Sequence, residues 1–382
     1  MRDNTRWGLL IPILGLVGCP QAPTPQVQIP STSPTSQSTP AKSVAVVPLA
    51  RDNETPIIIR EEEVEEGGRL PHFDFSKYQP SNAVEIARVW LLRHQLEDGS
   101  WAADGSVGPG CEGECGSTVL GPEAAKRARS RDVATTALAL LACAPVRRPS
   151  EQIRKALVWL QDRQQPDGSL DRDWLNHELA TLALVNLCDF YNFEPATAKA
   201  LAFSLGSIPP AEGETTGAAI LVAAIRVRAF AEAKLMRFQI SADRLAQASA
   251  RLERLVGVRG KADPWALGAL FDSQLRAGTS PPPSTSQTFE RLLARVEQKS
   301  GEDVRSETWF YGSWVAVGVK GEAWSRWKRA LEERLLVGQH TESCLKGAWD
   351  SRRGLGPSEG RVPATAWGAL IADARDEHKR QN

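Results

Sequence analysis

Ala87-Arg88-Val89-Trp90-Leu91-Leu92-Arg93-His94-Gln95-Leu96-Glu97-Asp98-Gly99-Ser100-Trp101 returns downstream as Ala156-Leu157-Val158-Trp159-Leu160-Gln161-Asp162-Arg163-Gln164-Gln165-Pro166-Asp167-Gly168-Ser169-Leu170. Trp, Gln, Asp, Gly and Ser stand at matching places. A worn third copy runs from Ala330-Leu331 through Gln339 to Gly347-Ala348-Trp349. Self-similarity of this kind marks a chain that uses one supersecondary unit several times. Each copy reads as the end of an amphipathic helix, with Trp90 and Leu91 facing inward and Gln95 closing the last turn. Asp98-Gly99 then reverses the chain, glycine supplying the left-handed conformation. Trp101 is expected to fold back over the helix end.

A second helix follows each copy and is rich in small and branched residues. These helices are Asp132–Leu140, His177–Leu184 and Pro363–Leu370, with weaker counterparts at Thr215–Leu221 and Pro264–Leu270. Ala and Thr let helices approach closely, as an inner ring requires. The expected fold is all-α: a closed α/α toroid of five to six helical hairpins over residues 68–376, ending in a polar tail at 377–382. An open solenoid would need shorter and more uniform repeats.

The N-terminus has a different character. Arg2 and Arg6 precede an apolar run from Trp7 to Val17, then Gly18-Cys19. That order reads as a signal peptide over residues 1–18, too short to span a bilayer and interrupted by Pro12. Leu16-Val17-Gly18-Cys19 resembles the lipobox of bacterial lipoproteins, which implies lipidation at Cys19 and a membrane partner reached through that lipid. Pro20 replaces the Asp of inner-membrane retention, so the resemblance implies the outer membrane, facing the periplasm or the cell surface. Residues 19–67 are first Pro, Ser and Thr, later acidic at Glu61–Glu66, and read as a disordered linker.

The chain has 46 basic and 46 acidic residues. Such a balance gives no electrostatic reason to expect nucleic acid as a partner. Six cysteines are present: Cys19, Cys111, Cys115, Cys143, Cys188 and Cys344. Cys111 and Cys115 share a glycine-rich loop, and in an oxidising compartment a local disulfide is the favoured expectation. Half a metal site is the alternative, lacking a second Cys pair to complete a tetrahedral set. Cys143 and Cys188 fall in Ala/Leu-rich helices and read as small buried hydrophobes.

Gln95-x-x-Asp98-Gly99-Ser100-Trp101 and Gln164-x-x-Asp167-Gly168-Ser169 are similar to the QW-type repeats of the prenyltransferase and squalene-cyclase superfamily. Trp309-Phe310-Tyr311-Gly312-Ser313-Trp314, Trp324-Ser325-Arg326-Trp327 and Gly347-Ala348-Trp349-Asp350 resemble the bacterial prenyltransferase/squalene-oxidase repeat proteins. The resemblance covers residues 80–375 and implies a toroid. The Asp-x-Asp-Asp run of the cyclases is absent, as is the Asp, Cys and His zinc set of the prenyltransferases. No metal and no cofactor are therefore expected. His177 and Glu178, at the start of an inner helix, are the acid/base candidates; a capping His and Glu is the plainer account. Trp309, Tyr311, Trp314, Trp324 and Trp327 are candidates for binding an apolar ligand or an envelope protein, or for filling the core. The functional expectation is a non-catalytic toroid serving as a protein- or ligand-binding module. A divergent cyclase or prenyltransferase-like enzyme, or a polyisoprenoid carrier, is the alternative.

Overall fold

Burial separates the helices into two kinds. Helix Asp132–Cys143 buries nearly every residue from Val133 onward, and a helix that is apolar all round must be enclosed by protein. Helix Glu151–Asp162 buries one stripe, including Ile153, Ala156, Leu157 and Leu160, and leaves Arg154, Lys155, Gln161 and Asp162 exposed. This alternation runs the length of the fold.

The computed structural model describes residues 82–104, 108, 111, 115, 126, 128–144, 150–207, 217–259, 264–276, 285–298, 304–319, 321–350 and 360–381. All belong to one compact unit, Val64–Asn382. The signal peptide, Cys19 and the linker lie outside the described residues. Twelve α-helices are delimited among the described residues: α1 Ala83–Arg93, α2 Asp132–Cys143, α3 Glu151–Asp162, α4 Trp174–Tyr191, α5 Glu194–Gly206, α6 Gly217–Leu235, α7 Ala242–Arg259, α8 Pro264–Arg276, α9 Thr285–Gln298, α10 Ser306–Val319, α11 Gly321–Ala330 and α12 Arg361–Gln381. A π-turn, Leu331–Leu335, continues α11. No strand occurs among the described residues, and an isolated bridge joins Gln339 to Trp349. No helix among them is long and apolar enough to cross a membrane.

The even-numbered helices pack in sequence: α2 on α4, α4 on α6, α6 on α8, α8 on α10, α10 on α12, and α12 returns to α2. The odd-numbered helices lie against them, α1 on α12, α3 on α2 and α4, α7 on α6 and α8, α11 on α10. Five of the six even helices coincide with the small-residue segments singled out in the sequence. The sixth, α10, contains Trp309 to Trp314 and carries large side chains where the others carry Ala and Thr.

Each repeat copy makes the same contacts. Gln95 Nε2 donates to Gly99 O and to Gln152 O of α3, both at 2.7 Å. Gln164 Nε2 donates to Gly168 O at 3.2 Å and to Ala196 O of α5 at 2.9 Å. Gln339 Nε2 donates to Gly347 O at 3.0 Å and to Ala83 O of α1 at 2.8 Å. Each glutamine thus fastens its own turn and the start of the next odd-numbered helix. The turn glycines have φ of +94°, +95° and +101°. A Cβ on any of them would strike the backbone of that neighbouring helix, at Lys155, Lys199 or Ile86. Asp98 accepts from the backbone N–H and hydroxyl of Ser100 at 2.9 and 2.7 Å, and Asp167 does the same with Ser169. The two aspartates are turn formers and stand in separate repeats.

Candidate functional site

α4 begins at a cap. Asp173 Oδ1 accepts from the N–H groups of Leu175 and Asn176 at 2.9 and 3.1 Å, and Asn176 Nδ2 donates to Ser130 O at 2.7 Å. These bonds draw the segment before α2 to the start of α4, so Arg131 and Arg172 border the same pocket. His177 follows one residue later and is fully buried. Its Nδ1 accepts the Leu170 N–H at 3.2 Å, so in the neutral ring the proton sits on Nε2. That proton is directed at Ser204 Oγ, 2.9 Å away. Ser204 in turn donates to Glu178 Oε1 at 3.2 Å. Arg226 of α6 donates to the same oxygen from Nε and Nη2, at 2.8 and 2.6 Å, and from Nη1 to Ser207 O at 3.1 Å.

The two acid/base candidates are therefore held in a buried relay that is already satisfied. Burial, then the charge of Arg226, pulls His177 down to about 3, so it is neutral at ordinary pH. Burial pushes the Glu178 carboxyl up, while Arg226 and Ser204 draw it back toward ionisation. His177 cannot take the Ser204 proton as a general base, because its Nε2 is itself the donor. Its place in the repeat explains it. Thr136 and Thr365 accept the N–H of Trp101 and Trp349 at 3.0 and 3.1 Å, and His177 does this for Leu170. Where the other copies have a tryptophan ring, this one packs His177 against Phe203 and Trp174.

Beside this relay, a pocket of about 670 Å³ opens between α4, α5, α6 and α7. Arg131, Arg172, Arg226, Arg244, Arg251 and Arg254 line it, around Trp174, Val222, Phe230 and Leu255. Asp173 is the one acidic residue among the described lining residues, and it is engaged as the α4 cap. Arg226 is buried and lies 5.1 Å from the centroid of the Trp174 ring. Arg251 is pulled below its ordinary value, by burial first and then by the charges of Arg226 and Arg254. The first turn of α4 forms one wall, its N–H groups already capped by Asp173.

The aromatic candidates are placed elsewhere. Trp309, Tyr311, Trp324 and Trp327 are buried, and only Trp314 is half-buried. Trp327 sits between Phe289 and Trp309, with ring centroids 5.6 and 5.4 Å away, and donates from Nε1 to Ser313 Oγ at 3.0 Å. Gly312 makes room for it, since a Cβ there would fall 2.2 Å from the indole. These rings join α9, α10 and α11 and pack into the hydrophobic core, Trp314 lying against it. Cys111 and Cys115, the expected disulfide pair, carry free thiols in this structure. Cys143 and Cys188 are buried in α2 and α4.

Sequence reasoning missed the arginines. Their signal is thin: Arg244, Arg251 and Arg254 fall on one face of α7, and the other three are scattered. Comparisons of the chain with protein-family models, with curated proteins and with solved structures find no match.

Proposed function

We propose that the chain is a lipid-tethered envelope protein whose six hairpins close into an α/α toroid of prenyltransferase/squalene-cyclase type. In this reading it is a non-catalytic module that binds a phosphate-bearing ligand with a small apolar part. The cycle of even-numbered helices and the Gln339–Ala83 bond support closure. The lipobox-like residues ending at Cys19 support the tether.

Binding rests on one observation: six arginines surround a cavity whose described lining offers a single, already engaged carboxylate. Glu178 already offsets Arg226, but guanidinium groups gathered around one cavity repel, and an anion relieves the repulsion. Guanidinium groups suit phosphate because they present paired N–H donors in a plane. Trp174, Val222, Phe230 and Leu255 offer an apolar floor for the rest of the ligand.

The enzyme reading finds its best support in Ser204 beside His177, but the proton there points from His177 to Ser204. A polyisoprenoid carrier would need an open channel between the even-numbered helices. Arg228 of α6 instead lies 5.2 Å over both Phe310 and Trp314 of α10, and Phe310 meets Trp367 of α12 at 5.2 Å.

Titration calorimetry of the mature protein with inorganic phosphate and with hexyl phosphate tests the proposal. Hexyl phosphate is expected to bind more tightly, with affinity falling as salt rises. The double variant Arg244→Glu/Arg254→Glu is expected to abolish binding. No heat from either compound with the parent protein would overturn the reading.

A further inference from the structure

A second cluster lies where the first repeat meets the last. His94 caps the C-terminus of α1, stacked on Trp90 with ring centroids 3.9 Å apart. Its Nδ1 is 2.6 Å from Trp90 O, and a carbonyl can only accept, so Nδ1 carries the hydrogen. Nε2 is left with a lone pair. His94 is 1% exposed, and Nε2 is buried with no hydrogen-bond partner among the described residues. A buried acceptor without a partner is costly, and the His94 ring lies beside thiols. The ligand atoms of His94, Cys111 and Cys115 all lie within 4.8 Å of one another. The thiols of Cys344 and Cys111 are both neighbours of the Cys115 thiol. The Cys344 backbone is fixed from the first repeat, since Trp90 Nε1 donates to its carbonyl at 3.1 Å. The Cys115 carbonyl is held by Arg361 of α12.

We propose that His94 Nε2 and the sulfurs of Cys111, Cys115 and Cys344 form a structural zinc site that fastens the first repeat to the last. One imidazole and three thiolates are a standard tetrahedral zinc set, with ligand atoms roughly 3.5 to 3.8 Å apart around the ion. For His94, Cys111 and Cys115 a contraction of about 1 Å from the present limit of 4.8 Å gives that geometry, and Cys344, the neighbour of Cys115, would move in to complete the set. Soft thiolates favour zinc over calcium or magnesium. The Trp90 carbonyl on Nδ1–H is the outer partner that fixes a zinc-binding histidine in the right tautomer. Four protein ligands leave no open position, so the site is structural and not hydrolytic. On binding, the three thiols release their protons to solvent. Cys344, which is exposed, gives the ion its way in.

The test uses the full chain exported to its own compartment and purified in detergent without chelator. Metal analysis is expected to find one zinc per chain. Exchange with Co(II) is expected to give thiolate-to-metal charge transfer and the strong visible bands of a tetrahedral site. Cys344→Ser and His94→Ala, on two different segments, should each lose the metal, while Cys143→Ser and Cys188→Ser keep it. Should His94→Ala fail to fold, Cys344→Ser at the exposed rim still reads the site. A metal-free protein that gives no thiolate band with Co(II) would overturn the proposal. So would a Cys111–Cys115 disulfide found by mass mapping of the exported chain.

Discussion

Gln339 donates to the carbonyl oxygen of Ala83 at 2.8 Å, across 256 residues of sequence. The contact is the third instance of a bond that Gln95 and Gln164 make to the next odd-numbered helix, and here the next helix is the first. It ties the end of the fold to its start. Gln339→Ala removes this bond and the one to Gly347 and is expected to destabilise the protein by about 1 to 2 kcal/mol. Gln165→Ala is the control, because Gln165 is exposed and its side chain donates to the carbonyl of Arg163, two residues away on the same turn. Its change should stay within about 0.5 kcal/mol. Urea unfolding of both variants measures the difference.

The turn glycines make a sharper prediction. Gly347 has φ of +101°, and a Cβ there would fall 2.5 Å from Ile86 O. Gly347→Ala therefore meets both backbone strain and a neighbour that is itself backbone, and should cost at least about 2 kcal/mol. Gly206, at the end of α5, has nothing within 4 Å of its virtual Cβ and no positive φ. Gly206→Ala should be neutral or stabilise by roughly 0.5 kcal/mol. Opposite signs in thermal unfolding would confirm that the clash, not glycine loss as such, sets the cost.

The all-α fold was legible because the repeat residues each carry one local task. Gln closes a helix, Asp and Ser shape a turn, and Gly permits it, so their spacing survives where the rest of the sequence drifts. α10 was hidden because Trp309, Tyr311 and Trp314 replace the small residues that identify the other even-numbered helices, and aromatic density suggested a binding face. The pocket was hidden for another reason. Its six arginines come from segments before α2, before α4, in α6 and along α7, and a chain-wide balance of charge conceals a local excess. The thiol cluster was half legible: Cys111 and Cys115 are neighbours in sequence, but His94 and Cys344 join them only in space.

His177 predicts a pH dependence. Its folded value of about 3 lies below an unfolded value of about 6.5. Between these limits the unfolded chain binds a proton that the folded chain does not, so stability falls as pH drops through the window. At pH 4 the loss from this residue is roughly 3 kcal/mol relative to pH 7. His177→Thr puts the residue of the other copies, Thr136 and Thr365, in its place. That variant should be less stable near neutrality, since it leaves a gap beside Phe203, yet should show a shallower decline between pH 6.5 and 4. An unchanged slope in chemical denaturation across that range would contradict the burial argument.

Glu178 and Arg226 couple stability to the pocket. Their side chains are 0% and 8% exposed and meet at 2.6 Å, and Arg226 also lines the cavity. Removing one partner of a buried pair leaves the other charge uncompensated, which costs about 3 to 5 kcal/mol. Glu178→Gln should therefore lower the stability of the ligand-free protein by an amount of that order. Phosphate bound beside Arg226 would replace part of the lost countercharge, so the variant should gain more from added phosphate than the parent does. The comparison is a pair of thermal melts, with and without phosphate, for each protein. If the two gain equally, Arg226 takes no part in anion binding and the remaining arginines must account for it. A larger gain in the variant would place the guanidinium of Arg226 in contact with the ligand.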